Sequence, residues 1–333
     1  MSTMKDTLRT IVTIVIFVCT SITAHTQSVN YKVTVLKQQK VSGKILPKGN
    51  YSGITHVKGD TFAIVSDKGI KTRMIRIEQS KSTGKILSVK NLSSPVSIDD
   101  NQTDCEDIIY NNSTKTLFIT DEHNQEIAEY TIDGKLTGRR LDIPREMNKN
   151  NIQNNCGFEA LAYDSTNGLY WTITESPLKT DISKKPVPLR LQSFNPDLTP
   201  SKQYTYYTEE PKLKGKSRLY AFGVSAIATL DDGRLLVMER EIRIRNNYIG
   251  SKSIMRLFLT TPLNNGTTTK IEIASFKTYL KLGKTNLANY EGMCKGITLD
   301  DGRQTIILIN DSQNRAGNAL LHLRDYLKVL IIE

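Results

Sequence analysis

The segment GVSAIATLDDGRLLVMERE at residues 223–241 decides the fold, because the chain repeats it. A second copy, GMCKGITLDDGRQTIILINDS, lies at residues 292–312, and both copies contain the hexapeptide TLDDGR. Repeats of this kind indicate an array built from one supersecondary unit. The number and content of the copies therefore determine the architecture.

Three weaker copies precede these two. They begin SGITHV at 52, CEDIIY at 105 and GFEALAY at 157. Each copy has a short apolar segment, a turn rich in Asp, Asn and Gly, and a second β-branched or aromatic segment that ends in an acidic residue. In the TLDDGR copies, the Asp-Asp-Gly sequence is typical of a hairpin turn rather than a calcium loop. Each unit thus opens with a β-hairpin.

Two further strands usually follow each hairpin, as in EIAEYTID and LTGRRLDI after the second copy. Units of four antiparallel strands predict an all-β propeller, and five blade starts lie near residues 52, 105, 157, 222 and 291. The last blade lacks room for its outer strand, which the N-terminal segment YKVTVLKQQ (31–39) could supply to close the ring. The sequence leaves open a sixth, degenerate blade and short helices near 277–290. A pair of β-sandwiches is the structural alternative, but the pattern shared by all five copies argues against it.

The N-terminus has the layout of a secretory signal peptide. Lys5 and Arg9 precede the apolar run Ile11–Val18, and small and polar residues follow to Thr26. We therefore expect a signal peptide over 1–26 and a secreted, periplasmic or cell-envelope propeller domain over 29–333. An uncleaved anchor is the alternative, although the run is short for a membrane span, and no other segment could cross a bilayer.

Charge and cysteine content add little. The net charge of +11 suits an anionic small molecule or glycan as partner, but the usual nucleic-acid modules are missing, and we expect a monomer without nucleic-acid partners. The cysteines fit no zinc spacing, and an exported protein could pair Cys105 with Cys156. The sequence also lacks a G-x-S-x-G elbow and paired metal-binding histidines.

Acidic residues occupy repeated positions. The first strand of each blade lines the central channel, so Glu106, Glu159 and Glu291 should converge there, with Gly53 and Phe222 at the equivalent positions of the other blades. A second set of acids closes the second strands, and its members are Asp67, Asp121, Glu122, Glu175, Glu239 and Asp311. Carboxylates inside apolar strand starts are costly to bury unless they are paired.

Two kinds of partner could compensate these acids. A hard cation, Ca²⁺ or Mg²⁺, would bind oxygen ligands from Asp67, Glu106, Glu159, Glu175, Glu291 and Asp311. Alternatively, basic side chains could pair with the acids, and the nearest in sequence are Lys68, Arg240, Lys295 and Arg315. For the second-strand acids, turn capping or pairing with bases at the strand ends is an equally plain explanation.

Several motifs in order resemble one protein family. They are GFEALAYDSTNGLYWTITESPL (157–178), PLRLQSF (188–194), YEGM (290–293), LINDSQNR (308–315) and SGITHVKGDTFAIVSDKG (52–69). Over residues 45–325 the chain resembles the phytase-like family, labelled "esterase-like activity of phytase"; Ala160 stands where glycine is more usual. The resemblance implies an exported β-propeller, with functional positions at Gly53, Asp67, Glu106, Glu159, Glu175, Arg190, Glu291, Asp311 and Arg315.

Three functional hypotheses follow. The first is a metal-dependent phosphoesterase or esterase, in which Glu106, Glu159 and Glu291 bind a cation, Glu159 and Glu291 take part in catalysis, and Arg190, Arg315, Lys68 or Lys71 neutralise an anionic substrate. The second is a non-catalytic binding propeller of the cell envelope with a structural cation in its channel. The third and weakest is an esterase that uses Ser52 beside His56.

Overall fold

In a computed structural model, the described residues form five antiparallel sheets arranged in a ring. The residues that this structure describes are 31–67, 71–98, 104–153, 156–281, 283–317 and 322–333. The signal-peptide prediction, residues 1–26, lies outside the described residues, as does Lys68. No helix in the described part of the chain is long and apolar enough to cross a membrane.

Each sheet is one blade, and the five blade starts predicted from the repeats are confirmed. The described chain begins with two short strands of the last blade, β1 (Val33–Val35) and β2 (Gln39–Lys40). Blade 1 contains β3 (Tyr51–Lys58), β4 (Thr61–Ser66), β5 (Lys71–Gln79), β6 (Ile86–Asn91) and the short β7 (Val96–Ser97). Blade 2 contains β8 (Cys105–Asn111), β9 (Thr116–Asp121), β10 (Glu126–Tyr130) and β11 (Leu136–Arg140).

Three more blades complete the ring. Blade 3 contains β12 (Phe158–Asp164), β13 (Leu169–Thr174), β14 (Leu189–Phe194) and β15 (Pro200–Tyr206). Blade 4 contains β16 (Leu219–Thr229), β17 (Leu235–Ile244), β18 (Ser251–Pro262), β19 (Thr268–Lys281) and β20 (Lys284–Thr285). Blade 5 contains β21 (Asn289–Thr298), β22 (Gln304–Asp311) and β23 (Tyr326–Ile332), with β1 as its outer strand.

The ring closes as the sequence predicts. β1 pairs antiparallel with β23, so that the N-terminal segment completes the C-terminal blade. The described residues form five sheets and no sixth blade, and their ring arrangement rules out the sandwich pair. The prediction of short helices near 277–290 is wrong, because the described residues there lie in β19, β20 and β21 or in the short links between these strands. Helical structure among the described residues is limited to a single 3-10 turn at Arg145–Met147.

The hydrophobic core lies between neighbouring blades. One cluster joins blades 1 and 2 around Tyr130, a second joins blades 2 and 3 around Phe158, and a third joins blades 3 and 4 around Trp171. Two more clusters join blade 5 to blades 4 and 1. Trp171 is buried within the third of these clusters. Burial between blades, rather than within one sheet, explains why a single blade could not fold alone.

The two TLDDGR segments form the same turn. In the first copy Gly233 has φ +79°, and its N–H donates to the Leu230 carbonyl at 3.0 Å. In the second copy Gly302 has φ +87° and donates to the Leu299 carbonyl at 2.9 Å. Glycine adopts this left-handed conformation without steric cost, so the repeated hexapeptide is a hairpin turn as predicted.

Small residues let the inner strands approach each other at the centre of the ring. A Cβ on Gly53 would lie 2.7 Å from the Asp107 Cα, and a Cβ on Gly292 would lie 2.8 Å from the Ser52 carbonyl oxygen. Side chains also tie the inner strands together: the Ser52 hydroxyl donates to the Cys105 carbonyl at 2.7 Å, and the Leu161 N–H donates to the Asp107 carboxylate at 2.8 Å. The inner strands therefore hold the residues at their ends in fixed positions.

Candidate functional site

A cavity of about 640 Å³ opens where the first strands of the blades begin and the second strands end. Eight carboxylate side chains line it: Asp67, Asp104, Glu106, Glu122, Glu159, Glu175, Glu291 and Asp311. Among the described residues that line the cavity, Arg240 is the only cationic side chain. The site is therefore an acidic cavity with one buried cation.

Backbone irregularities aim the first set of carboxylates into this cavity. The pairing register of the inner strand shifts between Phe158 and Ala160 in blade 3, and between Tyr290 and Gly292 in blade 5. Glu159 and Glu291 are the residues at these shifts. A β-bulge bends its strand and redirects a side chain, which takes these glutamates out of the apolar alternation of the strand. The shift at Cys105–Ile108 contains Glu106 in the same way.

The register shifts in blades 1 and 4 show that other residues than predicted occupy the position of these glutamates. In blades 1 and 4 the shifts fall between Tyr51 and Gly53 and between Val224 and Ala226, so Ser52 and Ser225 occupy the glutamate position. The sequence prediction that Gly53 and Phe222 are equivalent to the glutamates is therefore wrong. The prediction fails because the apolar strand openings differ in length between the copies. Both serines hydrogen bond to a neighbouring inner strand: Ser52 to Cys105 and Ser225 to the Tyr290 carbonyl at 3.2 Å.

The sequence alignment is also wrong for the end of β17, where Arg240 rather than Glu239 occupies the repeated position. In β17, Glu239 pairs with Val224, so Arg240 is the next residue beyond that pair. In the other four blades this position holds an acid, and these acids are Asp67, Glu122, Glu175 and Asp311. Arg240 therefore stands in a ring position that is acidic everywhere else, whereas Glu239 points to a separate network of Tyr206, Lys270 and Arg256.

Arg240 pairs with three carboxylates on one side of the cavity. Its guanidinium contacts the Glu175 carboxylate, lies 2.6 Å from Glu291 Oε1 and lies 3.5 Å from Glu159 Oε2. The Asn289 side-chain oxygen accepts a further hydrogen bond at 3.4 Å. The arginine is 4% exposed, and its pKa is raised by these carboxylates despite its burial. The prediction that a basic side chain pairs with the acidic set thus holds for Glu159, Glu175 and Glu291.

This pairing leaves the glutamates only partly compensated. Burial raises the pKa of Glu159 well above its ordinary value, Glu175 raises it further, and Arg240 opposes the shift. Burial and Asp311 raise the pKa of Glu291 in the same way. Glu159 Oε2 is buried and has no hydrogen-bond partner among the described residues. This side of the cavity favours bound protons or added positive charge.

On the other side, Asp67, Asp104 and Glu106 form a second cluster. Each offers one carboxylate oxygen, and the three oxygens lie within 4.8 Å of one another. Burial raises the pKa of Glu106 well above its ordinary value, and Glu291, Asp67, Glu122 and Asp104 raise it further. Glu122 borders this cluster; burial raises its pKa to about 7, and its Oε1 accepts a hydrogen bond from the Gly157 N–H at 2.7 Å.

The structure thus divides the predicted metal set. Glu106 and Asp67 join Asp104, whereas Glu159, Glu175 and Glu291 contact Arg240. Asp311 lines the cavity, and its Oδ1 accepts a hydrogen bond from the Gln313 N–H at 2.7 Å. Asp104 was missed because it precedes the repeated motif. The available signal was the short spacing between Asp104 and Glu106, which brings two acids to the start of one inner strand.

Comparison with known proteins identifies the family. A family model described as "Phytase-like: Esterase-like activity of phytase" matches residues 47–313. The chain belongs to the phytase-like family. No curated protein matches the sequence.

The similar solved structures have low sequence identity to this chain. A catalytic domain of an α-L-arabinofuranosidase from Coprinopsis cinerea is 12% identical, with a TM-score of 0.43, over 91% of this chain and 96% of that chain. A PQQ-bound aldose sugar dehydrogenase from Streptomyces coelicolor is 11% identical, with a TM-score of 0.37, over 91% and 98%.

Two arginines of the phytase-like motifs lie outside the acidic cavity. Arg190, on β14, donates to both oxygens of Asp181 at 2.7 and 2.9 Å. Arg315 binds the Asp325 carboxylate and donates to the Leu46 carbonyl at 2.7 Å. Neither side chain is among the residues that line the cavity. Their predicted role in binding an anionic substrate remains a prediction, and the contacts shown here are structural.

The other described side chains predicted to pair with the acids, bind substrate or act in catalysis also lie outside the acidic cavity. Lys295 pairs with Asp231 at 2.5 Å, and Lys71 is exposed on β5. The Ser52 hydroxyl donates to a carbonyl, whereas His56 Nε2 lies 2.7 Å from the Gly59 carbonyl oxygen. The structure therefore brings no Ser52–His56 pair together. Cys105 and Cys156 are not joined by a disulfide, so the expected pairing is wrong.

Proposed function

We propose that this phytase-like propeller is a metal-dependent ester hydrolase that acts on an anionic substrate, with a phosphoester as the first candidate. The observation that carries the proposal is the Asp67–Asp104–Glu106 cluster in a cavity whose single described cation, Arg240, contacts other carboxylates. An anionic substrate would be repelled by eight carboxylates unless positive charge is added beside them. A divalent cation at this cluster would supply that charge.

The three residues fit such an ion by their chemistry and spacing. Carboxylate oxygens are hard ligands, which Ca²⁺ and Mg²⁺ prefer. Two oxygens bound to one Ca²⁺ at about 2.3–2.6 Å can lie at most about 5 Å apart, and the three oxygens here lie within 4.8 Å of one another. Mg²⁺ demands near-ideal octahedral geometry and loses its waters reluctantly, whereas Ca²⁺ accepts flexible sets of carboxylate oxygens. We therefore propose Ca²⁺ first.

The chain's own residues would contribute charge and proton control. When bound, the cation would polarise an ester oxygen and lower the pKa of a coordinated water. Asp67, Asp104 and Glu106 would hold it, and the burial of Glu106 favours replacement of a bound proton by a cation. Arg240 would hold Glu159 and Glu291 in place, and these glutamates can carry protons because their pKa values are raised.

Hydrolysis assays test this proposal. The metal-free protein is supplied with Ca²⁺ or Mg²⁺, and release of phosphate from phytate and of nitrophenol from aryl phosphates and aryl acetates is measured. We expect cation-dependent turnover that Asp104→Asn and Glu106→Gln abolish, while Asp231→Asn, at an exposed ion pair with Lys295, leaves it unchanged. Absence of turnover with either cation, or full activity in both cavity variants, would reject the hydrolase.

A non-catalytic binding propeller is the second candidate, and one observation favours it. The guanidinium of Arg240 already contacts Glu159, Glu175 and Glu291, which gives these glutamates a structural reason to be present. In that case cation binding would stabilise the fold without turnover. A rise in melting temperature with Ca²⁺, combined with no hydrolysis of any ester tested, would support this candidate over the first.

A further inference from the structure

Exposed apolar side chains gather on one part of the surface. Of the nine large hydrophobic side chains that are exposed among the described residues, five lie in the segments 179–187 and 207–220. These five are Ile182, Val187, Tyr207, Leu219 and Tyr220. The two segments together are called the blade 3–4 rim. Leu219 is 52% exposed and Ile182 is 51% exposed; single exposed aliphatic side chains are common, but a group of them on neighbouring segments is typical of an interaction surface.

The blade 3–4 rim is continuous with the acidic cavity. Ile182, Val187 and Tyr207 line a groove of about 620 Å³, and Leu219 and Tyr220 line the cavity itself. Glu175 and Phe222 border both hollows. The exposed apolar side chains therefore belong to one face, and the cavity opens on that face.

The same segments carry an excess of positive charge. Their basic residues are Lys179, Lys184, Lys185, Lys212, Lys214, Lys216 and Arg218, and all of them are exposed. Their acidic residues are Asp181, Glu209 and Glu210. Asp181 is buried and ion-paired with Arg190 and Lys184, and Glu209 pairs with Lys270. The surface of the rim is therefore basic as well as apolar.

Buried carboxylates of β17 hold the second segment in place. Glu241 accepts hydrogen bonds from the Lys212 N–H at 2.8 Å, the Leu213 N–H at 2.7 Å and the Tyr220 hydroxyl at 2.9 Å. Glu239 accepts one from the Glu209 N–H at 3.0 Å. The apolar and basic side chains are thus presented by an anchored segment.

We propose that the blade 3–4 rim binds an anionic lipid surface, so that the acidic cavity opens towards that surface. Exposed aliphatic and tyrosine side chains can enter the interfacial region of a bilayer, and lysines beside them are attracted to anionic headgroups. A soluble polyanion would use the lysines but would gain nothing from Ile182, Val187 and Leu219. The combination of both side-chain types on one face therefore favours lipid.

Vesicle co-sedimentation tests this proposal independently of any hydrolytic activity. The protein without added cation is mixed with vesicles of phosphatidylcholine alone or with added phosphatidylglycerol. We expect binding to the anionic vesicles only, weakened by salt. A lysine near the surface contributes about fivefold in affinity, so replacing Lys212, Lys214 and Lys216 by Gln should weaken binding about 100-fold. The apolar pair Ile182→Ser and Leu219→Ser should also weaken it at least tenfold.

Matched controls come from other blades. Leu87→Ser and Ile271→Ser replace side chains that are 66% and 61% exposed outside the rim, and they should leave binding unchanged. Circular dichroism melts confirm that each variant folds. The proposal fails if the anionic vesicles bind no protein at low salt, or if the control pair weakens binding as much as the rim pair. It also fails if the lysine variant loses binding while the apolar variant keeps it, because that result indicates a polyanion site.

Discussion

Replacing Arg240 by Met should destabilise the protein by about 3–5 kcal/mol at pH 8. Arg240 is 4% exposed and contacts Glu159, Glu175 and Glu291, so the variant leaves the buried Glu175 carboxylate and the largely buried Glu159 and Glu291 carboxylates without their cation. Removing one member of a buried ion pair costs about this amount, because an uncompensated charge stays buried. The measurement is urea denaturation followed by circular dichroism, with the free energy of unfolding taken at zero urea.

The loss should depend on pH in a defined direction. Without the guanidinium, the pKa values of Glu159 and Glu291 in the folded state rise above their already raised levels. A carboxyl whose pKa is higher in the folded than in the unfolded state reduces stability as the pH rises above its unfolded value of about 4.3. The reduction grows until the folded pKa is passed. The variant should therefore lose less stability at pH 5 than at pH 8.

A matched control separates this effect from the loss of any ion pair. Arg140→Met removes an exposed pair, in which Arg140 Nη1 lies 2.7 Å from Glu126 Oε2, and it should cost about 0–1 kcal/mol. An Arg240→Met loss below about 1 kcal/mol at pH 8 would refute the reasoning. So would equal losses at pH 5 and pH 8, because these would indicate that Arg240 acts through packing alone.

Three further predictions concern the fold. Gly53→Ala should lower the free energy of unfolding by about 1–3 kcal/mol, because the new Cβ would lie 2.7 Å from the Asp107 backbone; urea denaturation measures this, and an unchanged midpoint would contradict it. Deleting residues 31–36 removes β1 from β23 and should cost at least about 2 kcal/mol, with faster proteolysis; equal protease resistance would argue against ring closure. Reductant should not change the melting temperature, because Cys105 and Cys156 are not disulfide-bonded; a drop would indicate a disulfide.

The fold could be predicted because its unit is repeated. The duplicated TLDDGR turn defined a hairpin, and the weaker copies fixed the number and starts of the blades. Closure by residues 31–39 followed from the missing outer strand of the last blade. The prediction of helices near 277–290 is wrong because β19 continues to Lys281, and β20 and the start of β21 follow it. A weak local signal was overridden there by pairing with β18.

The candidate site was only partly predictable, because β-bulges decide which residue faces the channel. The glutamates at 106, 159 and 291 were identified from their position at strand starts. Their division into an Arg240 group and a group with Asp104 depends on side-chain geometry around the ring, which spacing along the chain does not contain. The sequence alignment of β17 with the other second strands is also one residue out. It therefore assigns Glu239, rather than Arg240, to the position that faces the cavity.

Calorimetric titration of the metal-free protein with Ca²⁺ tests the central claim most directly. The claim predicts one site that Asp104→Asn and Glu106→Gln weaken at least tenfold, while Asp231→Asn binds like the unaltered protein. Affinity should fall as the pH is lowered, because the raised pKa of Glu106 lets protons compete with the cation. Absence of Ca²⁺ binding at neutral pH, or binding that both cavity variants retain in full, would contradict the assignment of Asp67, Asp104 and Glu106 as a cation site.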